Sequence, residues 1–179
     1  VPLLAHAVAE QAYVLIDVNE TALAVGQVGE ARSLAEGAAT PLLRSWVAAA
    51  HGESLAMAGH GDEALEAFDD ANALLPNDPV DPDLPFVFLG GSHLDRWRGN
   101  TLAGLGDPDA ISHLVDALYR TPPDFLRARV TMLVDLAYAH AAAGDRTAAQ
   151  SYAREARRLG MQIKTDRLLR RLSQLVLPS

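Results

Sequence analysis

The chain has 179 residues, 49% hydrophobic and 21% charged, which is enough apolar content to bury a core and too much for a disordered segment. It has no cysteine, so disulfides, thiolate metal sites and cysteine nucleophiles are excluded. The net charge of −8 argues against a surface that holds nucleic acid through its phosphates, and no apolar stretch approaches the roughly 18 residues of a membrane span. The charge is unevenly spread: residues 1–145 carry 7 Lys+Arg against 21 Asp+Glu, whereas residues 146–179 carry 8 against 2.

Alanine and leucine dominate and β-branched runs are scarce, which favours helix. In chain order the periodicity predicts helices at about 3–25, 28–39, 42–58, 61–75, 91–104, 107–121, 124–143, 145–159 and 164–176. The opening VPLLAHAVAEQAYVLI holds His6 and Glu10 without a basic start, so it does not read as a signal peptide, and a cytoplasmic location is expected. The missing initiator Met leads us to expect a piece of a longer protein. Gly26, Gly59, Gly106 and Gly144 are expected where helices end and reverse. Asp62, Asp107 and Asp145 are expected near helix starts, and Pro41, Pro108 and Pro123 in first turns. Between Pro76 and Gly91, four prolines followed by Phe86-Val87-Phe88-Leu89 forbid helix. Burying each of those apolar side chains is worth about 1.5–3 kcal/mol, so the loop is expected to dock on its own domain or to meet a partner.

In the segment SWVAAAHGESLAMAGHGDEALEAFDDANALLPND, residues Gly52, Gly59, Ala64, Phe68, Ala71 and Pro76 recur at a telling spacing. Small side chains at Gly52, Ala64 and Ala71 would let two antiparallel helices approach, Phe68 would fill the gap, and Pro76 would stop the second helix. This pattern resembles the tetratricopeptide repeat. Weaker copies carry Gly26, Ala31, Ala35 and Ala38; Ala110, Leu114, Ala117 and Pro122, preceded by Leu94 and Trp97; and Gly144, Ala149, Ala153 and Ala156. Matching Ala31, Ala64, Ala110 and Ala149 gives steps of 33, 46 and 39 residues. The resemblance implies a single all-α domain over 1–179, a right-handed α-solenoid of about four helix pairs. The pairs would span about 12–44, 45–78, 91–123 and 130–163, with an insertion at 76–91 and a capping helix at 164–176.

No residue set calls for catalysis, a metal or a cofactor. His6, His51, His60, His93, His113 and His140 include no HExxH pair, GNTLAGLG lacks the lysine of a phosphate loop, and there is no GxSxG. Asp69-Asp70 reads as a solvated helix face. His140 stands where the repeat usually places a tyrosine, which implies a packed role, and Trp97 falls on the interhelical packing position.

In the resembled family the first helix of each pair lines a concave groove. Carried over by position, this implies a binding set of Tyr13, Asp17 and Glu20, then Trp46, Glu53 and Met57, then Asp95 and Arg96, then Asp135 and Tyr138. Aromatic anchors among carboxylates suit a peptide or protein partner. The competing reading makes Tyr13, Trp46 and Tyr138 core and the carboxylates solubilising, with Asp95 in a local ion-pair cluster beside Arg96 and Arg98. The basic end, with Arg154, Arg157, Arg158, Lys164, Arg167, Arg170 and Arg171, reads as a solvated cap or as a contact for the acidic front of a second copy.

The stretch LPNDPVDPDLPFVFLGGSHLDRWRGNTLAGLGDPDAISHLVDAL resembles the C-terminal region of actinobacterial regulators that carry an N-terminal helix-turn-helix of the Cro/repressor class. That resemblance implies a sensor or oligomerisation domain, in which a peptide or small effector biases a homodimer. Such a domain would make no direct contact with nucleic acid or membrane. The alternative is a protein–protein scaffold or adaptor unrelated to transcription; an enzyme is not expected.

Overall fold

The structure, a computed structural model, describes residues 2–107 and 109–178. Pro108, expected in a first turn, lies outside the described residues, as does the side chain of Arg167. Among the described residues the chain is all-α. Its helices are α1 (Pro2–Asp17), α2 (Thr21–Glu36), α3 (Pro41–Met57), α4 (Gly61–Leu74), α5 (Gly91–Leu105), α6 (Ala110–Arg120), α7 (Leu126–Ala142), α8 (Arg146–Gln162) and α9 (Asp166–Ser173). None of them is long and apolar enough to cross a membrane.

Five of the helix ends are built alike. Asn19, Gly59, Gly106, Gly144 and Lys164 adopt left-handed φ values of 65°, 86°, 74°, 81° and 51°. At each, the following N–H reaches back five residues: Glu20 to Leu15 O, His60 to Leu55 O, Asp107 to Leu102 O, Asp145 to His140 O and Thr165 to Gly160 O, at 2.8–3.1 Å. The left-handed residue itself donates to the carbonyl three residues back, as Gly59 does to Ala56 at 3.0 Å. This paired arrangement satisfies carbonyls that the helix end would otherwise orphan, and it reverses the chain tightly. It closes α1 onto α2, α3 onto α4, α5 onto α6, α7 onto α8, and α8 onto α9. The repeat thus lies in the turns as much as in the helix faces.

The first turn corrects the sequence reading. The expected helix at 3–25 ends at Asp17, and Gly26 sits inside α2 while Asn19 makes the reversal. Asparagine tolerates the left-handed region because its short polar side chain bonds locally. Counted from the turn, Ala24 rather than Ala31 is the counterpart of Ala64, and Ala31 is the counterpart of Ala71. The slip is seven residues, two helical turns, which returns an alanine to the same face. Both Ala24 and Ala31 are fully buried, so burial alone could not have exposed the error.

Two compact units, Val1–Leu94 and Asp95–Ser179, divide the chain within α5. In the first, α1 packs on α2, α2 on α3 and α3 on α4, while α1 also touches α3 directly. The expected close approach is present: a Cβ on Gly52 would meet the Phe68 ring at 2.8 Å and the Ala64 carbonyl at 3.0 Å. Ala64, Phe68 and Ala71 are buried, and the Ser45 hydroxyl donates to Ala71 O at 2.7 Å, tying α3 to α4. In the second unit α7 is central, touching α6, α8 and α9. Val130, Leu133, Val134 and Ala137 meet Ala156, Leu159 and Leu172, while Met132 and Leu136 meet Leu114 and Ala117. Gly99 repeats the role of Gly52, since a Cβ there would lie 2.8 Å from Leu114 Cγ.

The proline-rich segment docks on its own unit, as one of the two expectations held. Leu84, Val87 and Leu89 are buried, whereas Phe86 and Phe88 point outward. Its anchor is Asp81: Thr40, the N-cap of α3, donates its hydroxyl to Asp81 Oδ2 at 2.8 Å, and Oδ1 accepts from Asp83 N at 3.0 Å. A carboxylate at a helix N-terminus also meets the positive end of the helix dipole.

Candidate recognition sites

The residues assigned to a groove by sequence fall into two groups, one in each unit, with four outliers. In the first unit, small residues at Ala5, Ala9 and Ala12 seat α1 against its neighbours. This leaves Tyr13 facing α3, where its phenol bonds to the Glu53 carboxylate. Burial, reinforced by the charges of Glu53 and Glu10, raises the Tyr13 pKa well above the ordinary phenol value. Trp46 is buried, and the His6 ring lies over it at 4.7 Å between centroids. His6 in turn stands 5.0 Å from the Phe86 ring and 3.6 Å from Glu10 Oε1. Trp46 is therefore a core residue under His6 and not an open anchor. What the α1–α3 surface offers is Tyr13 and His6 with two carboxylates beside them, a setting that favours a cationic group.

In the second unit, α7 carries Asp135, fully buried. Arg171 of α9 places Nη1 2.6 Å from Asp135 Oδ1, as a charge contact, although neither carboxylate oxygen meets full hydrogen-bond directionality. Burial raises the Asp135 pKa, opposed by Arg171, by the Asn100 side chain and by Arg96. Burial also lowers the pKa of Arg96 while Asp135 opposes it. Tyr138, one turn along α7, donates its hydroxyl to Arg171 O at 2.6 Å, and the Arg171 guanidinium lies 5.2 Å from its ring centroid. One buried carboxylate thus gathers guanidinium groups from α5 and α9. Arg171 is 40% exposed, so part of that positive charge remains open to solvent.

Asp17, Glu20 and Met57 do not join the first group: they lie exposed at the turns that end α1 and α3. Asp95 departs too, pairing with Arg120 of α6. Asn100 and Arg171 were not assigned to the groove. Asn100 stands four residues after Arg96, and so on the same helix face, which is a signal that sequence alone could have supplied. Arg171 had none, because its neighbour comes from a helix 36 residues earlier.

Other polar contacts are structural. His140 stacks on Tyr152 at 5.2 Å and lies 3.6 Å from Asp145 Oδ2, in keeping with its expected packed role. Arg32 bridges His51 at 3.3 Å and Asp70 at 2.8 Å, joining α2 to α3 and α4. Trp97 is half-buried. No group of three or more His, Asp or Glu side chains among the described residues could hold a metal ion. Comparison with protein families, curated proteins and solved structures finds no match.

Proposed function

We propose that this chain is a peptide- or protein-recognition module of tetratricopeptide type, a right-handed solenoid of helix pairs. In this reading it is the sensor and oligomerisation part of a helix-turn-helix regulator. The observation that carries the recognition reading is where half-exposed polar and aromatic groups collect. They sit on first helices of successive pairs, Tyr13 and Glu53 on α1 and α3, and Arg96 and Tyr138 beside the buried Asp135 on α5 and α7. The packing residues Ala64, Phe68 and Ala71 occupy second helices instead. Within each unit that division leaves polar and aromatic groups of the first helices available to a partner.

The ligand expected at the α1–α3 surface is a segment with a basic side chain, because Glu53 and Glu10 flank Tyr13 there. A fluorescence screen of a degenerate peptide library, with the purified chain, tests this. Enrichment of Lys or Arg, lost in Glu53→Gln with helicity unchanged, supports the reading. Enrichment that Glu53→Gln leaves intact would refute the placement of the site.

A further inference from the structure

Two surfaces that the fold leaves without a partner complement each other. The first is the outer face of α1. Ala5, Ala9 and Ala12 turn inward, while Leu3, Leu4, Val14 and, just past the helix end, Val18 are each more than half exposed. At 100° per residue these lie on one side of the helix, with Glu10 and Asp17, two turns apart, along its edge. The second is a groove of about 490 Å³ at the other end of the sequence, between α8, α9 and the segment that follows. Ala153, Leu172, Leu175 and Leu177 wall it, and Arg154 and Arg157 stand at its rim.

Charge selects how these surfaces pair. Residues 1–94 hold 2 Lys+Arg and 14 Asp+Glu, net −12, and residues 95–179 hold 13 and 9, net +4. Two α1 faces brought together would oppose strongly acidic surfaces, and two grooves would oppose their arginines. Joining α1 to the groove satisfies both, with Glu10 and Asp17 set against Arg154 and Arg157. We propose that α1 of one molecule docks into the α8–α9 groove of a second copy, giving head-to-tail self-association. Such an interface uses two different patches, so it propagates unless its rotation closes a ring. One helix in one groove covers less than a standard interface, which makes the association weak and salt-sensitive. It shares Glu10 with the Tyr13 surface but rests on Val14 and its apolar neighbours and not on Glu53, so Val14→Glu and Glu53→Gln tell a failure of this inference from a failure of the ligand reading.

The experiment is sedimentation velocity on the 179-residue chain up to about 1 mM, with two variants whose altered side chains are exposed, Val14→Glu and Arg154→Glu/Arg157→Glu. Circular dichroism confirms that both fold. The wild type is expected to sediment faster as concentration rises and to slow toward monomer in high salt. Each variant should associate at least about tenfold more weakly, because a carboxylate meets an apolar wall or the rim charges are reversed. An equimolar mixture of the two variants, each keeping one intact surface, should form a dimer that grows no further. A wild type that stays monomeric throughout overturns the proposal. So does self-association that survives both variants, and so does a mixture that stays monomeric, since that outcome marks a symmetric contact or a different occupant.

Discussion

Gly52→Ala is the sharpest probe of the packing that defines the helix pair. On an open helix this change would stabilise by about 1 kcal/mol, since glycine loses the most backbone freedom. Here the new methyl would sit 2.8 Å from two Phe68 ring carbons and 3.0 Å from the Ala64 carbonyl. The ring is 1% exposed and cannot swing into solvent, and the carbonyl belongs to the backbone of α4. Overpacking of this kind costs about 1–3 kcal/mol, and contact with both ring and backbone places it in the upper half of that range. The net expectation is a loss of about 1–2 kcal/mol after the propensity gain. Urea melts followed by circular dichroism measure it. In a Phe68→Leu background the ring contacts are gone and only the Ala64 carbonyl contact remains, so the same Gly52→Ala change should cost clearly less than in the wild type. A Gly52→Ala chain more stable than wild type, with Phe68 intact, would refute the claim that this glycine exists to admit the ring.

Thr40→Val should cost about 1–2 kcal/mol, because it removes the N-cap of α3 and leaves the buried Asp81 without its 2.8 Å donor. Limited proteolysis should then cut within 76–90 faster than in wild type; an unchanged rate would mean that the apolar side chains alone hold the loop. Arg171→Met strips the closest cation from Asp135 and should destabilise by about 1–3 kcal/mol at neutral pH, less than for a fully buried pair, because Arg171 is 40% exposed and Arg96 and Asn100 remain. Asp135 already has its pKa raised by burial, so the folded state takes up its proton first as pH falls. Acidification toward the unfolded carboxyl range should therefore recover part of the loss, and melts that show no recovery would place Asp135 outside the effect. His51 has its pKa lowered by burial and by Arg32, so the unfolded chain protonates first, and stability falls as pH drops below about 6.5. His51→Asn should flatten that part of the stability–pH curve; an unaltered slope would assign it to other groups.

Much of the helix pattern was legible in the residues. Gly52, Ala64, Phe68 and Ala71 named a packed pair because a ring needs a missing side chain opposite it, and that need is local. Gly59, Gly106 and Gly144 marked reversals because few other residues accept a left-handed backbone. The first pair escaped for the same reason in reverse: Asn19 made the turn without a glycine, and alanines at 24 and 31 suited either register. Trp46 could be read as anchor or core; its burial, with His6 over it and Phe86 beside His6, makes it core. The side on which Leu84, Val87 and Leu89 would dock was equally closed to sequence, since burial depends on what the chain folds against.

The sequence by itself determined the all-helical character, most of the turns and the close approach of α3 to α4, because propensity, backbone freedom and residue size act within a few neighbours. Tertiary structure alone decided which charges meet. Asp135 lies 36 residues from Arg171, and only the packing of α7 against α9 brings them within 2.6 Å, in a setting dry enough to shift a carboxyl pKa. Electrostatic pairing depends on distance through space and on water excluded from it, and neither is written in spacing along the chain.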